Sequence, residues 1–131
     1  MKLRMNESSI RIRISPEELQ QLNESLHAES TTEIYSDDGL TRQGHITYGV
    51  TIAPNGQQAH CTIEPNAITI HITQNDLDEL NKPKAQGVYL RRETTAPDKT
   101  EHRFSAYVEL DRPVKRKSRE DTWLQGEDNK T

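Results

Sequence analysis

Large apolar side chains are scarce in this sequence. Leu, Ile, Val and Phe make up 25 of 131 residues, about 19%, just under the rough 20% level below which a highly charged chain stays unfolded. The net charge is only -4, however, so the second condition for disorder is not met. Aromatic residues are 5% of the chain, with one Trp and one Phe. Cys61 is the only cysteine, which excludes an internal disulfide and suits a reducing compartment. The six glycines are scattered; none builds a Walker loop, a dinucleotide turn or a nucleophile elbow, and there is no paired-Cys zinc motif. No run approaches the roughly 20 apolar residues of a membrane span. The opening seven residues, from Met1 to Glu7, carry no apolar signal segment. The expectation is a single-domain, cytoplasmic chain without membrane contact or cofactor.

What is present is patterned. Ser9-Ile-Arg-Ile-Arg-Ile-Ser-Pro-Glu-Glu-Leu-Gln-Gln-Leu-Asn23 and Ala67-Ile-Thr-Ile-His-Ile-Thr-Gln-Asn-Asp-Leu-Asp-Glu-Leu-Asn81 match at an offset of 58, with six of fifteen positions identical. Both run from a period-two strand into a helix. Ser15 with Glu18, and Thr73 with Asp76, have capping-box spacing, and Pro16 occupies the first helical position. Leu19 and Leu22 match Leu77 and Leu80. The same offset carries Leu3 and Met5 onto Cys61 and Ile63. It also carries Ile46, Tyr48, Val50 and Ile52 onto Phe104, Ala106, Val108 and Leu110. Strands are expected at 31–35 and 87–93 as well, with turns at Asp37-Asp38-Gly39, Pro54-Asn55-Gly56 and Ala96-Pro97-Asp98-Lys99. The predicted fold is α+β: tandem duplicated ββαββ units, mostly antiparallel sheet with two short helices, as one compact domain or pseudo-dimer. The units span 1–53 and 54–111, and 112–131 is a polar C-terminal tail. Without that tail, 23 of 111 residues, about 21%, are large and apolar. The competing reading is that the two units resemble each other only because both are amphipathic.

A turn at Pro65-Asn66 sets the faces of the second hairpin. Thr62 then opposes Thr69 and His60 opposes His71, while Cys61, Ile63, Ile68, Ile70 and Ile72 form the apolar face. The same register in the first hairpin puts Lys2 opposite Arg13 and Arg4 opposite Arg11. Like charges facing across a ladder cost tenths to about 1 kcal/mol per pair. Four cations gathered on one face of an acidic protein therefore suggest a local anionic partner: nucleic acid, an acidic protein, or this chain's own carboxylates. Such residues also blunt sheet edges, and their stems cover apolar surface. No aromatic residue interleaves with these cations, which speaks against stacking of single-stranded nucleic acid. His60 and His71 are the candidates for a metal, but the hairpin supplies no third and fourth ligand beyond the more distant Glu64. No Ser-His-Asp or paired-carboxylate constellation can be assembled with any specificity from this sequence. The tail begins basic and ends acidic, and its Trp123 and Leu124 form an apolar pair suited to docking or to anchoring a partner.

The opening Met1-Lys-Leu-Arg-Met, with Ser9-Ile-Arg-Ile-Arg-Ile-Ser15, Glu18 and Leu19, resembles a family of short uncharacterised bacterial proteins that open MKIR…SIRLRLS. The resemblance implies a second strand-helix unit and a charged C-terminus, and supplies organisation without a function to carry over. The family's closing Pro-Asn-Pro is absent here. The strand entering a helix at Ile14-Ser15-Pro16-Glu17 is also similar to swapped-hairpin DNA-binding regulators and antitoxins of the AbrB type. That similarity implies a basic, dimeric DNA-binding face. Here only the first half is basic, because His60, Thr62, Thr69 and His71 stand where Lys2, Arg4, Arg11 and Arg13 do. The leading expectation is a non-catalytic module that binds an acidic protein partner through Lys2, Arg4, Arg11 and Arg13. A DNA-binding regulator is the alternative, and a metal- or small-ligand-binding enzyme centred on His60 and His71 the further one.

Overall fold

The computed structural model describes residues 1–111. The expected tail, with Trp123 and Leu124, lies outside the described residues. Ten elements follow in order: β1 (Lys2–Met5), β2 (Ser9–Ile14), α1 (Pro16–Ser25), β3 (His27–Tyr35), β4 (Arg42–Ile52), β5 (His60–Glu64), β6 (Ala67–Ile72), α2 (Gln74–Leu80), β7 (Gly87–Thr95) and β8 (Glu101–Leu110). The succession is strand, strand, helix, strand, strand, twice.

Neither half keeps its own sheet. The strand orders are β1-β2-β8-β7 (sheet A) and β3-β4-β6-β5 (sheet B), so each sheet takes one hairpin from each half. Within hairpins the pairing is antiparallel; the two seams, β2 with β8 and β4 with β6, are parallel. A parallel pair needs a crossover connection. Here α1 carries the chain from sheet A to sheet B, and α2 carries it back. The result is one interleaved α+β domain.

Both helices start as their capping boxes dictate. The Ser15 hydroxyl accepts from the Glu18 N–H at 3.1 Å, and the Glu18 carboxylate accepts from the Ser15 N–H at 2.8 Å. Thr73 and Asp76 repeat the arrangement at 3.1 and 3.0 Å. A cap of this kind contributes about 1 kcal/mol. Burial alone would raise the Glu18 pKa, but the Ser15 backbone N–H and the nearby α-ammonium of Met1 bring it below the ordinary value. The helix ends differ. α1 stops at Leu26 in the left-handed region (φ 62) and β3 begins at the next residue, whereas α2 ends at a right-handed Asn81 with a longer loop before β7.

Alternation packs one face of every inner strand into a shared core. Ile10, Ile12 and Ile14 on β2 and Ile68, Ile70 and Ile72 on β6 are all buried, as are Leu22, Leu77 and Leu80 on the helices. Burying an aliphatic side chain of this size contributes about 1.5–3 kcal/mol, which is how so few of them suffice. Contacts recur at the 58-residue offset. Ala53 N–H donates to the Ile72 carbonyl at 2.7 Å and Asp111 N–H to Ile14 at 2.8 Å; Thr47 N–H donates to Asn66 and Ser105 N–H to Ser8. Asn23 and Asn81, the matched ends of the two aligned segments, bond to each other through both amides at 2.9 and 2.8 Å. A residue meeting its own counterpart is the signature of a two-fold arrangement. β3 and β7 are the exception to the offset, standing 60 apart because of the longer loop after α2. No described helix is long and apolar enough to cross a membrane.

Candidate functional site: a basic sheet face

Strand alternation sends Lys2, Arg4, Arg11 and Arg13 to the outer face of sheet A. The Cα partners are Lys2 with Arg13 and Arg4 with Arg11, so the structure brings all four together. With Leu3 and Glu109 they line a concavity of about 220 Å³. Glu109 enters from β8, opposite Arg13 across the parallel seam. Its carboxylate lies 3.4 Å from the Arg13 guanidinium and 3.8 Å from that of Arg11. Among the described residues no carboxylate lies within ion-pair distance of Lys2 or Arg4. One carboxylate against four cations leaves the face strongly positive, and an exposed pair of this kind contributes at most about 1 kcal/mol.

The expectation that no aromatic residue stands among these cations is overturned. Tyr107 on β8 is the Cα partner of Arg11, and Tyr89 on β7 is the partner of Tyr107. Their rings stack at 5.8 Å between centroids and 29° between planes. The Arg11 guanidinium lies 5.3 Å from the Tyr107 centroid and that of Arg91 lies 5.6 Å from Tyr89, within cation-π range. The contacts are 96 residues apart in the chain for Arg11 and Tyr107, so the hairpin sequence holds no sign of them. Rings that stack across adjacent strands stand edge-on to the sheet. Tyr107 stands on β8 between Arg11 on β2 and Tyr89 on β7, while Tyr89, on the outer strand, remains 63% exposed. Gly87 makes room for the stack, since a Cβ there would come within 2.5 Å of the Tyr107 ring.

The outer face of sheet B carries the matching positions. His60 pairs with His71 and Thr62 with Thr69. The two imidazoles stack at 4.2 Å, 6° from parallel. Parallel rings cannot aim in-plane lone pairs at one ion. His60 Nδ1 is also engaged with the Gln58 carbonyl at 2.9 Å, and His71 Nε2 with the Thr62 hydroxyl at 3.0 Å. Among the described residues no group of three or more His, Cys, Asp or Glu is placed to hold a metal, and the pair does not fit the metal reading. Cys61 faces the core, where burial pushes its thiol pKa up.

Two residues of this face escaped the sequence reading. His27 Nδ1 is 2.6 Å from the Thr51 hydroxyl and its Nε2 is 2.7 Å from the Glu29 carboxylate. This hydroxyl-imidazole-carboxylate chain lies on an open strand face, with the imidazole and carboxylate about half exposed. The first half's outer strand was expected to start at Thr31, which left His27 and Glu29 outside it. A left-handed Leu26 ends α1 and lets β3 begin at His27, four residues sooner than expected, and Leu gives no C-cap signal of the kind Gly does.

The fold and site thus define an interleaved α+β domain with one basic, tyrosine-flanked sheet face. The chain belongs to a family of unknown function, DUF7009, whose model matches residues 1–122. No curated protein and no solved structure matches it significantly.

Proposed function

We propose that this protein is a non-catalytic binding module whose sheet A takes an acidic protein segment on Lys2, Arg4, Arg11 and Arg13. The observation that carries the reading is the charge imbalance in the concavity. Four cations on directly opposed strand positions share one carboxylate, and Lys2 and Arg4 have none within 4 Å among the described residues. Holding like charges together costs stability, and an anionic ligand removes that cost. The recurring contacts at the 58-residue offset support an origin of the two halves by duplication, in which only the first kept or gained the basic residues. The lone Cys61 supports a reducing, cytoplasmic setting.

Arg4→Glu with Arg11→Glu tests the reading. Fluorescence anisotropy with labelled polyglutamate at low salt should give saturable binding to the wild-type protein. The double variant, with an unchanged circular dichroism spectrum, should bind at least tenfold more weakly. Equal affinity of the two proteins, or no binding to either, overturns the proposal. Duplex DNA bound more tightly than polyglutamate, with a steep salt dependence, would transfer the face to the DNA-binding alternative.

A further inference from the structure

The basic face ends at an open sheet edge. β1 is an outer strand of sheet A and, among the described residues, pairs with β2 alone. Its hydrogen-bond phase follows from the hairpin closure, where the Asn6 N–H donates to the Ser9 carbonyl at 3.0 Å. In an antiparallel ladder the pairs exchanging both bonds alternate with pairs exchanging none. Counting back from Asn6 in the observed register, Arg4 with Arg11 and Lys2 with Arg13 are the bonded pairs. Leu3 and Met5 therefore turn their N–H and C=O groups to the open edge. Their side chains lie on the core side, where Leu3 is partly buried and Met5 is 51% exposed. The side chains of Lys2 and Arg4 rise on the opposite face.

From these facts we infer that the acidic partner binds as an added strand along β1. The inference rests on the basic-face reading above and specifies its geometry. The Leu3 and Met5 backbone groups supply the ladder. Partner residues opposite Lys2 and Arg4 stand on the cationic face and are Asp or Glu. Those opposite Leu3 and Met5 stand on the core side and are apolar, extending the cover over Met5. The preferred ligand is thus an extended segment alternating acidic and apolar residues, not merely a negatively charged one. Strand addition draws affinity from main-chain bonds and specificity from alternate side chains. An unguarded edge normally carries Lys or Pro to prevent such pairing; here the cations select a partner of opposite charge.

The test uses the full chain and labelled octapeptides of Asp and Val, followed by anisotropy. The alternating peptide should bind at least tenfold more tightly than an isomer with the four Asp and four Val in separate blocks. Methylation of the alternate peptide nitrogens that face β1 should abolish binding, while methylation of the other set should not. Met5→Pro removes an edge-facing N–H without touching the bonds to β2 and should weaken binding at least tenfold. The methylated peptides test the same point on the unaltered protein if that variant misfolds. Equal binding of alternating, blocked and methylated peptides, still lost with Arg4→Glu and Arg11→Glu, overturns strand addition and leaves the basic face standing. Peptide binding that survives that double substitution overturns both.

Discussion

The two outer sheet faces are built on one plan and carry different chemistry. Along matched positions, Lys2, Arg4, Arg11 and Arg13 on sheet A become His60, Thr62, Thr69 and His71 on sheet B. Across the parallel seams, Tyr107 and Glu109 become Gly49 and Thr51. Beneath both faces the core residues are alike: isoleucines on the inner strands and one fully buried leucine per helix at matched positions, Leu22 and Leu80. The comparison separates what the fold requires from what the surface is free to vary. Buried positions are constrained on both sides by packing, while an exposed strand face tolerates either a permanent cationic set or a titratable, mostly neutral one.

If the cores are equivalent, they should fail equally. Leu22→Ala and Leu80→Ala each remove a side chain with no solvent exposure, a change that costs about 2–5 kcal/mol. Urea unfolding should show the two losses agreeing to within about 1 kcal/mol. A variant at one position that unfolds while the other is tolerated would mean that the matched positions are not packed equivalently in the shared core.

The glycines break the symmetry. A Cβ on Gly49 would come 2.6 Å from the Ala28 carbonyl, and one on Gly87 would come 2.5 Å from both the Val108 carbonyl and the Tyr107 ring. Each lies against the neighbouring backbone, which cannot yield as a flexible side chain would, so alanine at either position should cost about 1–3 kcal/mol. The functional consequences should diverge. Gly87→Ala displaces Tyr107 from its place beside Arg11 and should weaken acidic-peptide binding severalfold, whereas Gly49→Ala disturbs sheet B alone and should leave that affinity unchanged. Thermal unfolding together with peptide titration separates the two effects. Weakened binding in both variants would show that the faces are not independent.

The residues that set each face were legible in the sequence because a strand's side-chain period is two. With a turn fixed at Pro65-Asn66, the pairing of His60 with His71 follows by counting. Ser15-Pro16 and Thr73 likewise mark the helix starts through local hydrogen bonds. Which hairpin joins which was not legible. Alternation says that Ile10, Ile12 and Ile14 face inward, but an isoleucine stripe is equally satisfied by any other apolar face. The placement of β8 beside β2, and with it of Tyr107 and Glu109 among the cations, depends on the crossover through α1 and α2. The early start of β3 was hidden for a local reason: its junction rests on a left-handed Leu26, a conformation that costs a leucine energy and that its side chain does not announce.

Sheet B's departure from sheet A should also be visible as a dependence on pH. Burial and then the neighbouring His60 and His27 hold the His71 pKa below the ordinary value of 6.5. The Thr62 hydroxyl faces the same ring, and Glu29 pairs with His27 rather than with His71. The folded protein therefore takes up the His71 proton less readily than the unfolded chain. Stability from this residue is complete above the ordinary histidine range and declines as pH falls through it towards the folded pKa. Arg13, in the matching place, stays charged throughout. Glu18, Asp38 and Asp98 all have lowered values, so these three stay ionised across a window between about pH 7.5 and 5.5. Thermal melts across that window should show a small loss of stability in the wild-type protein. His71→Gln should reduce the slope, and Arg13→Gln should leave it as it is. A slope unchanged by His71→Gln would mean that the stacked pair accommodates a proton at no cost, and that the two faces differ in charge but not in what acid does to the fold.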